Sequence, residues 1–138
     1  MRIIHYKLLP YLSDALLIKQ YDDCCRIAKN MHERVVPGHV FVNRILDYDD
    51  AELNAYAVRV MNVMKLRAIN VDLDLFWKWR SDESIVFSEN IFRKWHNDRY
   101  LKQCVTYLQE LYDCGSITLE EWSIIQKGYG DITGERFE

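Results

Sequence analysis

Met1-Arg2-Ile3 opens the chain, and Tyr21-Asp22-Asp23-Cys24-Cys25-Arg26 follows on a helical pattern one short loop later. An α-amine has an ordinary pKa of about 7.7–8.0, low enough for a neutral fraction at physiological pH without deep burial. A neutral amine is a nucleophile toward electrophilic carbon. A free α-amine beside a helix that offers carboxylate and guanidinium groups is therefore a candidate catalytic unit.

The elements that would position this unit can be read from spacing. Residues 1–11 are short, mixed and apolar with Pro10 near their end, and read as an extended arm laid on the core. Ser13 is placed to cap a first helix, with Asp14 in its first turn favourable to the dipole. Leu17, Tyr21, Cys24, Ala28 and Met31 recur at helical spacing as the core stripe, which leaves Lys19, Asp22, Asp23 and Arg26 elsewhere on the helix. Asp22 and Arg26 stand at i and i+4 and can pair on one face, or Arg26 can serve an anion. Lys19, one turn before Asp23, either tunes that carboxylate or solubilises the helix.

Residues 32–47 read as a loop, with a Pro37-Gly38 turn and a short apolar run at Val40-Phe41-Val42. A second helix is expected from Asp49, with Glu52 completing a capping-box analogue. Its apolar face, from Leu53 and Tyr56 through Val60 and Met64 to Ala68, is the widest in the chain. Residues 70–96 crowd Phe76, Trp77, Trp79, Phe87, Phe92 and Trp95 among charges. They either close the core in short turns or form an aromatic platform for nucleic-acid bases. A third main helix runs from an Asn97 cap to a Gly115 stop. A shorter helix begins with a Thr118/Glu121 capping box and is expected to end at Gly128-Tyr129-Gly130. The expected fold is all-α: a compact bundle of three main helices plus short helices, with an N-terminal arm packed on the core, in a single domain over residues 1–138.

With 138 residues, about half of them apolar, the chain is long enough for a substantial core. The net charge of −3 is unevenly spread: residues 1–44 carry seven Lys/Arg and four Asp/Glu, a local +3 on a body of −6. That balance is compatible with a phosphate-contacting N-terminal third, and equally with ordinary surface charge. Cys24, Cys25, Cys104 and Cys114 show no zinc-pair spacing, and with His5, His32, His39 and His96 they match no common metal pattern. No metal and no cofactor is expected. Arg2, His5 and Lys7 interrupt any leader, and no apolar run is long enough for a membrane span, so a cytoplasmic protein with reduced thiols is expected. His39, just before the second helix, reads as a structural histidine.

The order of these pieces resembles a known family. Met1-Arg2-Ile3, Tyr21-Asp22-Asp23 with Arg26, Gly38-His39-Val40, Arg67-Ala68-Ile69-Asn70-Val71 and His96-Asn97-Asp98-Arg99-Tyr100-Leu101 with Cys104 together are similar to the pyrimidine-dimer DNA glycosylases of the T-even phage endonuclease V type, in a bacterial or phage branch. The resemblance spans most of the chain. It implies a DNA-repair glycosylase and AP lyase acting on damaged double-stranded DNA, in which the N-terminal amine attacks C1′ of the sugar, a Schiff base forms and β-elimination cuts the strand. Carried over by position, the nucleophile is Met1, retained because Arg2 is bulky, and the assisting carboxylate is Asp23. The DNA contacts by that correspondence are Arg2 and Arg26, and Lys19 is a further candidate beside them. Two departures stand out. Asp23 replaces the family's glutamate and is one methylene shorter, and Asp22 stands where the best-known members have an arginine, which removes one phosphate contact. The alternative is a non-catalytic phage-type accessory or anti-defence protein that reuses the scaffold to bind a protein partner. A monomer is expected in either case.

Overall fold

The structure is a computed structural model, and it describes residues 2–34, 44–86 and 90–137. Every regular element among the described residues is helical, with no strand. They form α1 (Asp14–His32), α2 (Asp50–Leu66), the single-turn α3 (Asp74–Lys78), α4 (Asp98–Asp113) and α5 (Leu119–Thr133), with 3-10 helices at Tyr6–Tyr11 and Arg44–Asp47. The all-α expectation holds. Met1, the Pro37-Gly38 turn, Gly38-His39-Val40, the Val40–Val42 run and Phe87 lie outside the described residues.

Local chemistry sets most helix ends. The Ser13 hydroxyl accepts from the Leu16 N–H, Asn97 Oδ1 accepts from the Tyr100 N–H, and Thr118 with Glu121 makes a full capping box. Each occupies a donor that the first helical turn leaves without a backbone partner. At α2 the expected box does not form: Asp49 makes no side-chain cap, and Glu52 instead accepts from the Phe92 N–H at 3.1 Å. α5 runs past Gly128 and Gly130 to Thr133, and Gly134, at φ 74°, makes the stop. At 15 residues α5 is nearly as long as the 16-residue α4, not the shorter helix expected.

The N-terminal arm is the largest surprise. Residues 6–11 form a 3-10 helix, and Ile3, Ile4, His5, Leu8 and Leu9 are buried. α1 packs on α2 and α4 on α5, while the 3-10 helix contacts both α2 and α5. A buried non-helical segment must find partners for its backbone polar groups. Here side chains of all three surrounding helices provide them. Gln20 of α1 accepts from the Ile4 N–H and donates to the Arg2 carbonyl. The Tyr56 hydroxyl of α2 donates to the Ile4 carbonyl at 2.7 Å. The Tyr100 hydroxyl of α4 donates to the Ile3 carbonyl at 2.6 Å, and Cys104 Sγ accepts from the His5 N–H. The arm is a spine of the core, not a strap over it.

The aromatic-rich stretch closes this core. Phe76, Phe92 and Trp95 are at most 2 % exposed, which removes them as a base-stacking platform, while Trp77 and Trp79 are half-buried. Asn54 of α2 holds the segment in place by donating to the carbonyls of Asp82 and Ser84 and accepting from Arg80 Nε, all at 2.8 Å.

A candidate active site between the N-terminal arm and helix 1

Asp23 lies on the buried face of α1, not on its surface as its offset from the apolar stripe suggested. The residue is 2 % exposed, and its Oδ2 has no hydrogen-bond partner among the described residues. A buried carboxylate oxygen without a partner costs free energy that well-packed interiors normally avoid. Burial pushes the Asp23 carboxyl above its ordinary value, against the pull of the Arg26 and Lys19 charges, and the nearby Asp22 carboxylate adds to the rise. Such exceptions concentrate at functional sites, where a carboxyl that holds its proton more readily is useful.

Asp23 lines a cavity of about 30 Å³ together with Arg2, Lys19, Gln20 and Tyr107. Arg2 is the hinge of the site. Its carbonyl is held by Gln20 at 3.0 Å, and its guanidinium lies over the Tyr107 ring, 5.0 Å from the centroid. The Arg2 charge also acts on the buried Tyr100 hydroxyl and Cys104 thiol of the same helix, opposing the rise that burial gives each. Arg2 is therefore anchored on α4 and is not a free end.

From Arg2 the surface opens into a groove of about 520 Å³ along α4, lined by Arg99, Lys102, Gln103, Thr106, Tyr107 and Glu110. Three cations against one carboxylate make this a locally positive concavity on an acidic protein. Arg99 and Lys102 are exposed. Neither these two nor Tyr107 was singled out from sequence, although Arg99, Lys102 and Thr106 stand at i, i+3 and i+7 and so share one polar face of the helix.

Among the sequence-predicted residues, Asp23, Arg2 and Lys19 thus share one small cavity. Arg26 is exposed one turn further along α1 and close enough for its charge to act on Asp23. Among the described residues no ion pair joins Asp22 to Arg26. Met1 lies outside the described residues. No group of three or more His, Cys, Asp and Glu side chains suited to a metal occurs among the described residues, and Cys24, Cys25 and Cys104 are buried thiols. No described helix is long and apolar enough to cross a membrane.

No curated protein and no solved structure matches the chain. A family model described as pyrimidine dimer DNA glycosylase matches residues 1–76, more than half of the 138. That stretch contains all of α2, together with the arm and α1 that line one side of the cavity, while Tyr107, Leu108 and Leu111 of α4 on the other side lie beyond it. On this match the chain belongs to the pyrimidine dimer DNA glycosylase family.

Proposed function

We propose that the protein is a DNA glycosylase with AP-lyase activity that uses the α-amine of Met1 as nucleophile and Asp23 as its partner carboxylate. The observation that carries this reading is the buried Asp23 Oδ2, which has no hydrogen-bond partner among the described residues and lies in a cavity that Arg2 also lines. Arg2 is covalently next to Met1, and its carbonyl is bonded to Gln20, one turn before Asp23 on the same helix.

The chemistry balances with these groups. The amine nitrogen attacks C1′ of the damaged nucleotide, the glycosidic bond breaks, and the base leaves with the electron pair and takes up a proton. Positive charge grows on the sugar as this happens, and an ionised Asp23 stabilises it. Ring opening gives an imine between the amine and C1′. Loss of a C2′ proton then expels the 3′ phosphate and cuts the strand. Asp23, whose proton affinity is raised by burial, is suited to move protons in these steps. Arg2, Arg99 and Lys102 line the groove that would hold the phosphodiester backbone, with Lys19 and Arg26 on the α1 side.

Borohydride trapping tests the reading. A duplex carrying one abasic site should become covalently attached to the protein on reduction, and intact mass should place the adduct on the N-terminal peptide. Selective acylation of the α-amine should abolish it. No adduct, or an adduct that survives acylation, sinks the mechanism. The second reading, a protein-binding accessory factor, rests on the exposed Asp22 beside Arg26 and on the net charge of −3. It gains if the protein has no affinity for duplex DNA at low salt and yet captures a defined protein partner. A monomer acting in the cytoplasm fits either reading.

A further inference from the structure

We infer that Gln20 is a positioning residue for the reacting amine, a role that rests on the mechanism proposed above. Gln20 is 6 % exposed, yet both ends of its amide are used on the same short segment. Nε2 donates to the Arg2 carbonyl at 3.0 Å, and Oε1 accepts from the Ile4 N–H at 3.1 Å. The Tyr56 hydroxyl lies 2.7 Å from the Ile4 carbonyl and 3.1 Å from Oε1, sharing its one proton between these two acceptors and tying both to α2. One side chain thus grips the chain at residues 2 and 4, and a second locks that grip to α2.

Asp23 lies three residues after Gln20, on the same side of α1. The clamp therefore references the peptide that follows the amine to the very helix that carries the carboxylate. A bare packing role would not require this. A leucine or methionine fills such a site, whereas a glutamine there is retained at the cost of a buried amide whose orientation must be correct. Both ends of the Gln20 amide are occupied by residues 2 and 4, so it acts by fixing Arg2 and hence the reach of the residue before it. Misplacing a reacting group by about 1 Å costs on the order of 10²-fold in rate.

The test compares wild type with Q20A and Q20E in three measurements: borohydride trapping rate against pH on an abasic duplex, affinity for that duplex, and hydrogen exchange of the Ile4 amide. Q20A should expose Ile4 to exchange and slow trapping by about 10²-fold with duplex affinity little changed. Q20E keeps an acceptor for Ile4 and Tyr56 but loses the donor to Arg2. It should therefore keep Ile4 protected while still slowing trapping, and it carries the test if Q20A does not fold. Wild-type trapping rates and pH profiles in both variants overturn the inference, as does an Ile4 amide equally protected in Q20A. If wild type itself forms no adduct, the mechanism has failed, and Gln20 is judged on the pH profile of α-amine acylation alone. A profile moved by Q20A supports positioning, and an unchanged one ends it.

Discussion

Gly128 of α5 lies flat against the ring of Tyr11: a Cβ built on it falls 2.4 Å from Cγ and 2.6 Å from Cδ2. The glycine is inside the helix for close approach, and the left-handed stop falls six residues later at Gly134. The 3-10 helix that continues the buried arm can sit on α5 only because no side chain intervenes. Alanine is a better helix former than glycine by about 1 kcal/mol, so an open site would be stabilised by G128A. Here overpacking against the base of a ring, which cannot swing away without its backbone, should outweigh that gain and destabilise by roughly 1–2 kcal/mol net. Chemical denaturation reads the sign. In a Y11A background the same substitution should become neutral or stabilising, and a failure of that rescue would remove the packing explanation.

Gly128 also shows where sequence reading loses purchase. Caps are local, so Ser13, Asn97 and Thr118/Glu121 were legible from their own neighbours. A glycine in a helix has two meanings, stop or close contact, and only the partner decides. The same limit hid the arm. Its acceptors and donors come from Gln20, Tyr56, Tyr100 and Cys104, up to 99 positions away, and no periodicity announces them. Asp23 was legible as a candidate only through the family resemblance. Its i+2 offset from Tyr21 placed it off the apolar stripe, whereas the arm widens the buried face of α1 to include it. The Arg99–Lys102 face is present in the spacing, but exposed cations on a helix look alike in sequence whether or not a groove runs beside them.

Two buried histidines make the fold sensitive to mild acid. His5 Nε2 donates to the His96 carbonyl, its Nδ1 accepts from the Lys7 N–H, and the two rings stack with centroids 5.0 Å apart. His96 Nδ1 accepts from the Tyr6 N–H. Burial lowers His5 to about 4, and burial together with the His5 and Arg44 charges drives His96 well below its ordinary value. Both groups bind fewer protons folded than unfolded, so stability rises with pH across this window and is lost as pH falls from 6.5 toward about 4. For His5 alone the loss across the window is on the order of 3 kcal/mol. Thermal melts at stepped pH should show a steep fall below pH 6.5, with the imidazole nitrogens of both residues still neutral by NMR at pH 5. Imidazoles that protonate in the folded protein near pH 6.5 would contradict this.

Asp23 should trade stability against activity. Its folded pKa is raised above the ordinary 3.8 by burial, so the native state binds the proton more tightly and stability falls as pH rises through the folded value. Asn at this position removes the buried charge. D23N should therefore be the more stable protein at neutral pH, by roughly 1–3 kcal/mol. The difference should close as pH falls to the ordinary carboxylate range, where both side chains are neutral. If Asp23 is the partner carboxylate, the same variant should trap abasic DNA about 10²-fold more slowly. A D23N protein that is both less stable at pH 7 and fully competent in trapping would show a structural acid with satisfied partners.

The groove along α4 makes the last prediction, and it separates DNA contact from general electrostatics. Arg99 and Lys102 are exposed and stand beside Arg2 on one concave wall. Each phosphate neutralised by a cation adds about 0.9 to the slope of log affinity against log salt for duplex DNA. The double substitution R99A/K102A should therefore flatten that slope by nearly 2 and weaken binding most at low salt. Both side chains are on the surface, so the melting temperature should move little. Affinity titrations on one abasic duplex across a salt series supply the measurement. A slope equal to that of wild type would place the backbone elsewhere, with the Lys19 and Arg26 side of α1 as the remaining basic surface next to Asp23.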